Sequence, residues 1–229
     1  MLYTLDMGFD VFEKRPELSQ TLAYTLARGL CESTADWLLC DFSDGAKKYS
    51  ATEILAAAVA LSRRLDKAEI GGRAAVAIAP SYLAFITNYA CVFAGINPVN
   101  INFTLGPVAA KSCFQTAKID TTFTAEYFKS KIDKANPQFP WSKSVVDVCK
   151  ILSEIPADEI DEIKNSVKLG ADKFAEKFGI KKFGDNNAEA TLVFTSGSEG
   201  SPKAAILTER NIIANCLQTK LIELFAEDD

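Results

Sequence analysis

Residues 74–103 read AAVAIAPSYLAFITNYACVFAGINPVNINF and decide the fold class. The first part, Ala74 to Ala79, is a short continuous apolar run, as expected for a strand that is buried on both faces. A helix is predicted over Tyr82 to Ala94, and Gly95 supplies its C-terminal cap. A second strand is predicted over Pro98 to Phe103. A strand, a helix and a strand in this order favour an α/β fold, with a mostly parallel sheet flanked by helices.

The same region carries no charged residue from Ala74 to Ala110. Such a run can indicate a membrane span, but its cleanest apolar segment, Tyr82 to Ile96, is shorter than the roughly 20 residues that a spanning helix needs. We therefore interpret the region as buried α/β core and predict no transmembrane segment. Peripheral contact with a membrane stays open.

Further elements are predicted on both sides of this unit. Helices are expected over about Leu18–Leu30, from the capping box of Ser50 and Glu53 to about Lys67, from Gly106-Pro107 to about Ala117, and over Ala125–Ile132. Strands are expected over Trp37–Phe42, Thr121–Thr124 and Val145–Ile151. The run Glu154–Glu162 is rich in carboxylates, which a solvated helix face explains better than a metal site. We divide the single domain 1–229 into a first α/β unit (1–135), a variable, insertion-like segment (136–187) and a hairpin with a helix (188–229).

Composition excludes several classes of protein. The 229 residues are 48% apolar and 24% charged, which is ordinary for a soluble globular protein, and the net charge of -5 argues against a nucleic-acid binder. The chain has no histidine, which excludes a Ser-His-Asp triad or a Cys-His dyad within it. Its six cysteines form no CxxC pair, so we expect reduced, buried thiols and a cytoplasmic location.

Residues 195–203 read TSGSEGSPK and carry the chemistry. Glycines at two positions let backbone N–H groups point at a ligand, four hydroxyl groups surround them, and one lysine adds a charge suited to phosphate. These residues are Gly197 and Gly200; Thr195, Ser196, Ser198 and Ser201; and Lys203. The set indicates an anion-binding loop but not a Walker A loop, which requires GxxxxGK[ST]. By composition alone, a flexible Gly/Ser loop with an incidental lysine explains it equally well.

The flanks of this loop predict a hairpin. Thr191 to Phe194 and Ala204 to Leu207 are strand-like, so no helix is expected to begin at Lys203. A long amphipathic helix follows from Thr208 or Glu209. Its apolar stripe is expected to be core and consists of Ile212, Ile213, Cys216, Leu217, Leu221, Leu224 and Phe225.

The order of residues from Phe194 to Lys203 resembles the signature [YF]-T-S-G-S/T-T/E-G-x-P-K of the adenylate-forming superfamily, which includes acyl-CoA synthetases and luciferases. Segments at 48–55, 76–81, 93–100 and 208–215 resemble further parts of the family's pattern in order and spacing. Ser198-Glu199, together with Asn102-Phe103-Thr104, is similar to acyl–acyl carrier protein synthetases and 2-acylglycerophosphoethanolamine acyltransferases.

The resemblance implies an ATP-dependent ligase. A fatty acid would attack the α-phosphate of ATP to give an acyl-adenylate and pyrophosphate, and a thiol such as coenzyme A or acyl carrier protein would take the acyl group. Mg²⁺ would accompany the ATP. The residues that the resemblance assigns to the phosphates are Thr195, Ser196, Gly197, Ser198, Glu199, Gly200 and Lys203, with Lys203 as the catalytic contact.

Two departures from the pattern bear on this assignment. Glu199 beside phosphate either points to solvent or helps to place Mg²⁺ through water, and we expect the first. Ala204 stands where the family has glycine, and its methyl group is either tolerated in a strand or stiffens the loop.

The family's later motifs, including its ribose-binding aspartate and C-terminal catalytic lysine, would lie beyond Asp229. We therefore expect the chain alone to be inactive. A small nucleotide- or phosphate-binding regulatory protein and a scaffold remnant without a ligand stay open as alternatives.

Overall fold

The computed structural model describes residues 12–195 and 202–226, with side chains up to residue 219. The strands are β1 Leu39–Asp41, β2 Lys47–Tyr49, β3 Arg73–Val76, β4 Asn97–Asn100, β5 Thr121–Thr124, β6 Ser144–Asp147, β7 Glu189–Thr195 and β8 Lys203–Thr208. The helices are α1 Leu22–Cys31, α2 Ala51–Ser62, α3 Lys67–Ile70, α4 Tyr82–Phe93, α5 Pro107–Ala117, α6 Glu126–Ala135, α7 Val148–Ser153, α8 Ala157–Ser166, α9 Ala171–Lys177 and α10 Glu209–Ala226. Short 3-10 turns lie at Pro16–Ser19, Phe42–Asp44 and Val167–Leu169.

The central sheet is parallel and contains β4, β3, β5 and β6 in that order. Ala75 lies beside Val99 on one side and beside Thr122 on the other. The α/β fold and the parallel sheet are confirmed, although β3 and β4 end three residues earlier than predicted. The chain passes from β3 to β4 and then crosses to β5 on the opposite side of β3. The strand order therefore reverses between β3 and β5, which is where open α/β sheets commonly bind ligands.

Side-chain caps fix the ends of the helices around this sheet. Ser50 and Glu53 form the predicted capping box at α2: the Ser50 hydroxyl oxygen accepts from the Glu53 N–H at 3.3 Å, and Glu53 Oε2 accepts from the Ser50 N–H at 2.8 Å. That backbone hydrogen bond from Ser50 lowers the pKa of Glu53. Helix α4 is capped by Ser81 at its start. At its end, Gly95 has a φ of +69°, the left-handed conformation that its predicted capping role requires.

Three further predicted boundaries were wrong, each near a short side chain that caps a new helix. The first predicted helix is interrupted at Thr21, whose hydroxyl oxygen accepts from the Tyr24 N–H at 3.1 Å. Helix α2 ends at Ser62, well before Lys67, and Asp66 then caps α3. The strand predicted to reach Ile151 stops at Asp147, whose carboxylate accepts backbone hydrogen bonds at the start of α7.

Helix α2 lies at the centre of the largest group of buried side chains. Ile54 and Leu55 are fully buried, and Ile163 of α8 and Phe174 of α9 pack in the same cluster. The segment 136–187 therefore supplies β6 to the sheet and apolar side chains to the core. Its variable, insertion-like character stays a prediction.

The carboxylate-rich run 154–162 is only partly a solvated face. Glu159 binds Arg64 through both carboxylate oxygens, at 2.9 and 2.6 Å, and its Oε1 also lies 3.3 Å from Arg63 Nη1. The solvated-face prediction is wrong for this residue, because its ion pairs join α8 to the end of α2. Within the described residues, no group of three potential metal ligands occurs.

The cysteine thiols are free, and they differ in burial. Cys91 and Cys113 are buried as predicted, whereas Cys216 is exposed on the part of α10 that was expected to be core. Burial raises the pKa of Cys31 to about 11 and that of Cys91 to about 12, which keeps both thiols protonated at neutral pH. In the described parts of the chain, no helix combines the length and the apolar character that crossing a membrane requires.

Candidate phosphate-binding hairpin

Strands β7 and β8 form the antiparallel hairpin that the strand-like runs Thr191–Phe194 and Ala204–Leu207 predicted. Thr195 at the end of β7 pairs with Lys203 at the start of β8, and Phe194 pairs with Ala204. Strand β8 continues to Thr208, so the prediction that no helix begins at Lys203 is confirmed. The methyl group of Ala204 is accommodated in the strand, the first of the two alternatives for this departure from the family pattern.

Two of the predicted phosphate ligands are thus placed at the tip of the hairpin. Thr195 and Lys203 are exposed and directly opposed, and the Thr195 hydroxyl donates to the Lys203 carbonyl oxygen at 3.4 Å. The other predicted ligands, Ser196, Gly197, Ser198, Glu199 and Gly200, lie outside the described residues, as does Ser201. Thr195 and Lys203 are therefore the last paired residues of the two strands on either side of this segment.

The two faces of β7 have different surroundings. Leu192 is 3% exposed and belongs to the apolar cluster that contains Ile101 and Phe114. Val193, the next residue, points to the other face and is 43% exposed. This alternation is the two-residue period of a strand that packs on one face only. The hairpin is therefore fastened to the first α/β unit by the Leu192 face.

Polar contacts add to this attachment. The Thr191 hydroxyl donates to the Pro98 carbonyl oxygen at 2.6 Å, which joins β7 to β4. Arg73 of β3 forms a bidentate ion pair with Glu189, in which Arg73 Nε lies 2.6 Å from Oε1 and Arg73 Nη2 lies 2.5 Å from Oε2. The hydrogen bond from Arg73 lowers the pKa of Glu189 below its ordinary value. Arg73 also donates to the Ala117 carbonyl oxygen at 3.1 Å, so it ties the hairpin and the end of α5 together.

The segment after the hairpin is engaged in structural contacts. Thr208 and Asn211 exchange hydrogen bonds of 3.0 and 3.2 Å at the start of α10. Glu209 Oε2 accepts from the Leu22 N–H at 2.9 Å and so caps the beginning of α1. Arg210 forms an ion pair with Glu13 and contacts the Leu18 carbonyl oxygen. The start of α10 is consequently bound to the N-terminal part of the chain.

Ile213 of α10 is 1% exposed and packs with Leu18 and Leu22. The prediction that the apolar stripe of this helix packs in the core is therefore confirmed for Ile213. The side chains of Leu221, Leu224 and Phe225 lie outside the described residues.

The carboxyl edge of the parallel sheet offers a second candidate for a phosphate site, and its charges argue against that role. Asp41, at the end of β1, accepts from the Tyr82 N–H at 2.7 Å at the start of α4. Burial raises the pKa of Asp41, but hydrogen bonds from Ser43 and from the Tyr82 N–H outweigh this effect and lower it. Asp147 likewise accepts from N–H groups at the start of α7. These carboxylates occupy helix ends that would otherwise attract an anion.

Sequence reasoning missed both the Asp41 contact and the Arg73–Glu189 pair. The signal for Asp41 was an acidic residue at the end of a short strand. No comparable signal existed for the ion pair, because its partners lie 116 positions apart in the sequence.

The ion pair of Arg73 with Glu189 leads to a pH-dependent prediction. Glu189→Gln is expected to lower the free energy of unfolding by about 1–3 kcal/mol at neutral pH, because it removes a partly buried, charge-assisted pair. Since folding lowers the pKa of Glu189, this contribution is complete above the ordinary value of about 4.3 and is lost as pH falls through the lower folded value. Urea unfolding of both proteins from pH 7 to pH 3 measures the difference.

Asp120→Asn is the matched control, because Asp120 forms an exposed ion pair with Lys143 at 3.0 Å. Its effect on unfolding is expected to be far smaller. A difference between wild type and Glu189→Gln that stays constant down to pH 3 would contradict the assigned role of the ion pair.

Comparison with known proteins places this hairpin in a family. Residues 31–229 match the family described as AMP-binding enzyme. The chain belongs to this family. The AMP-binding match covers the parallel sheet as well as the hairpin, so the signature and its scaffold occur together.

The proteins similar to this chain include two coenzyme A synthetases and a luciferase. Long chain acyl-CoA synthetase 6, peroxisomal, from Arabidopsis thaliana is 26% identical over 149 residues, which are 62% of this chain and 21% of that protein. A red-emitting luciferase from Phrixothrix hirtus has the same fold, with a TM-score of 0.62 at 17% identity, over 87% of this chain and 48% of that one. O-succinylbenzoate coenzyme A synthetase from Bacillus subtilis, in complex with AMP, has a TM-score of 0.51 at 21% identity, over 71% and 36%. The chain thus spans about half or less of these relatives.

Proposed function

We propose that this chain is part of an ATP-dependent ligase that activates a fatty acid. The reaction would join the carboxylate to the α-phosphate of ATP, release pyrophosphate, and then pass the acyl group to a thiol. The observation that carries the proposal is the hairpin, in which Thr195 and Lys203 stand opposite each other at the two ends of the family's phosphate-binding sequence. The AMP-binding family match supports it.

The residues of the hairpin would hold the terminal phosphates. Lys203 supplies a positive charge, and Thr195 supplies a hydroxyl group on the facing strand. By resemblance, Ser196, Gly197, Ser198 and Gly200 would add hydroxyl and N–H donors for the phosphates. For Glu199 we expect a solvent-facing side chain rather than a role in placing Mg²⁺ through water. Fixed donors of this kind stabilise the charge that develops as pyrophosphate leaves. Mg²⁺, bound with ATP, would neutralise further phosphate charge.

Two observations bear on the choice of substrate and acceptor. The long-chain acyl-CoA synthetase among the relatives favours a fatty acid and coenzyme A. The pair Ser198-Glu199 favours acyl carrier protein as the acceptor, as in acyl–acyl carrier protein synthetases. A cytoplasmic location stays a prediction from cysteine usage.

Two alternatives make different predictions about nucleotide binding. A regulatory protein would bind ATP at the hairpin but would not catalyse adenylation even when joined to the remaining motifs of the family. A scaffold remnant would not bind ATP at all. The hairpin favours ATP binding over a scaffold remnant without a ligand, because Lys203 and Thr195 are exposed. The carboxylates of Asp41 and Asp147, which would repel phosphate, lie outside the hairpin.

An ATP titration of the 229-residue chain tests the proposed phosphate site. We expect weak, saturable binding in which phosphorus NMR shows larger shifts for the β- and γ-phosphates than for the α-phosphate. Lys203→Ala should weaken this binding about tenfold, because it removes a charge-assisted contact. Lys168→Ala is the control, since Lys168 is also exposed but lies far along the chain from the hairpin. Equal loss in both variants would contradict the assignment, and no saturable binding by the wild-type chain would favour the scaffold remnant.

A further inference from the structure

Two concave regions flank Phe103, just beyond the carboxyl end of β4. One, the Asp41 cavity, has a volume of about 690 Å³ and is lined by residues that include Asp41, Phe42, Phe85 and Phe103. The other, the Lys131 groove, has a volume of about 570 Å³, and its walls include Phe103, Leu105, Pro107, Phe128, Lys131 and Ile132. Both volumes lie in the range of sites that hold small molecules, roughly 300–1,000 Å³.

The walls of the Lys131 groove are apolar and held in place. Phe103 and Phe128 meet edge to face with their ring centres 4.9 Å apart, and Ile132 is 4% exposed. Asn136, at the end of α6, donates from Nδ2 to the Leu105 carbonyl oxygen at 3.2 Å. This hydrogen bond joins the two sides of the groove, the loop after β4 and the end of α6. Both walls of the groove are therefore held in position by contacts within the α/β unit.

The charges of the two regions differ in sign. Among the described residues that line the Lys131 groove, Lys131 is the charged one. Its Nζ lies 5.7 Å from the centre of the Tyr127 ring, and no ion pair among the described residues involves it. The Asp41 cavity instead carries the carboxylate of Asp41 in its lining. An apolar ligand with a negative head group is therefore favoured in the Lys131 groove and disfavoured in the Asp41 cavity.

We propose that the Lys131 groove binds a fatty carboxylate, with its alkyl chain against the wall formed by Phe103 and Phe128 and its carboxylate beside Lys131. None of the residues that line this groove belongs to the described strands of the hairpin, and the proposal does not rest on ATP chemistry. Binding here and ATP binding at the hairpin can therefore succeed or fail independently.

Decanoate, kept below the concentration at which it forms micelles, is the probe. Carboxyl-labelled decanoate should show saturable binding to the 229-residue chain by NMR. Octanoate, which has two fewer methylene groups, should bind about fifteenfold more weakly than decanoate, since burial of each group contributes a factor of roughly four. Lys131→Glu should weaken decanoate binding about fivefold or more and strengthen the binding of decylammonium. The affinity for decanol, which carries no charge, should change by less than about twofold.

Two further variants separate the groove from general effects. Lys134→Glu makes the same change of charge on the same helix, at an exposed residue outside the groove lining, and should leave decanoate binding unchanged. Ala135→Trp adds bulk at an exposed residue that lines the groove and should abolish the binding of both decanoate and decanol. Circular dichroism confirms that each variant is folded.

Three outcomes would overturn the proposal. The first is no saturable decanoate binding by the folded wild-type chain. The second is an equal loss with Lys131→Glu and Lys134→Glu, which would indicate a general charge effect. The third is binding to vesicles that contain phosphatidylglycerol, weakened by Lys131→Glu, in the absence of decanoate binding, which would assign this surface to a membrane.

Discussion

Pyrophosphate–ATP exchange by the 229-residue chain is expected to stay at background with fatty acids of every chain length tested. The hairpin supplies groups for the terminal phosphates only, through Lys203, Thr195 and the loop between them. Adenylation also requires the adenine, the ribose and the attacking carboxylate to be held in one geometry. The resemblance assigns the residues for these tasks to positions beyond Asp229. Correct positioning of reactants accounts for roughly five to eight orders of magnitude in rate, so its loss should remove measurable exchange.

The control for this prediction is a longer chain that carries the remaining motifs of the AMP-binding domain. That chain should catalyse exchange that depends on fatty acid, and Lys203→Ala should reduce it strongly. Robust exchange by the 229-residue chain itself, abolished by Lys203→Ala, would show that the hairpin and its scaffold are sufficient. A longer chain that binds ATP but never catalyses exchange would instead support the regulatory alternative.

Much of the α/β fold could be predicted from local sequence patterns. The strand over Thr121–Thr124 has the predicted bounds, and α5 begins at Pro107 as expected, because proline is well suited to the first turn of a helix. The errors occurred where a single polar side chain ended one element and began the next. Asp147 ends β6 and begins α7 in this way, and Asp66 begins α3 shortly after α2 has ended. Whether an aspartate caps a helix or faces solvent depends on the path of the backbone, which local patterns do not determine.

The geometry of the hairpin could also be predicted, because Lys203 leads directly into an apolar run. Its attachment to the rest of the chain could not. Arg73 and Glu189 look like ordinary surface charges in the sequence, and only the pairing of β3 with β4 brings Arg73 to the side on which β7 packs. Similarly, Glu209 occupies a position in the family's pattern, yet its carboxylate caps α1. Contacts between distant positions therefore decide which charges are structural and which are left exposed for a ligand.

The attachment of the hairpin has an apolar part and an ionic part, and they act at different places. Arg73 and Glu189 join at the base of β7, six positions before Thr195. Leu192 lies midway between the base and the tip, buried against Ile101 and Phe114. Because the hairpin reaches the phosphate-binding sequence only through β7 and β8, the position of Lys203 depends on both contacts.

Leu192→Ala is expected to destabilise the chain by about 2–4 kcal/mol and to loosen the hairpin. It removes a side chain that is 3% exposed and leaves a cavity against Ile101 and Phe114. Val193→Ala is the matched control, since the adjacent side chain points to the other face of β7 and is 43% exposed. Its effect should stay below about 1 kcal/mol. Urea unfolding gives both values, and amide hydrogen exchange across 189–195 and 203–208 shows whether the hairpin opens before the sheet. Equal destabilisation by the two variants would mean that the buried face of β7 does not hold the hairpin to the first α/β unit.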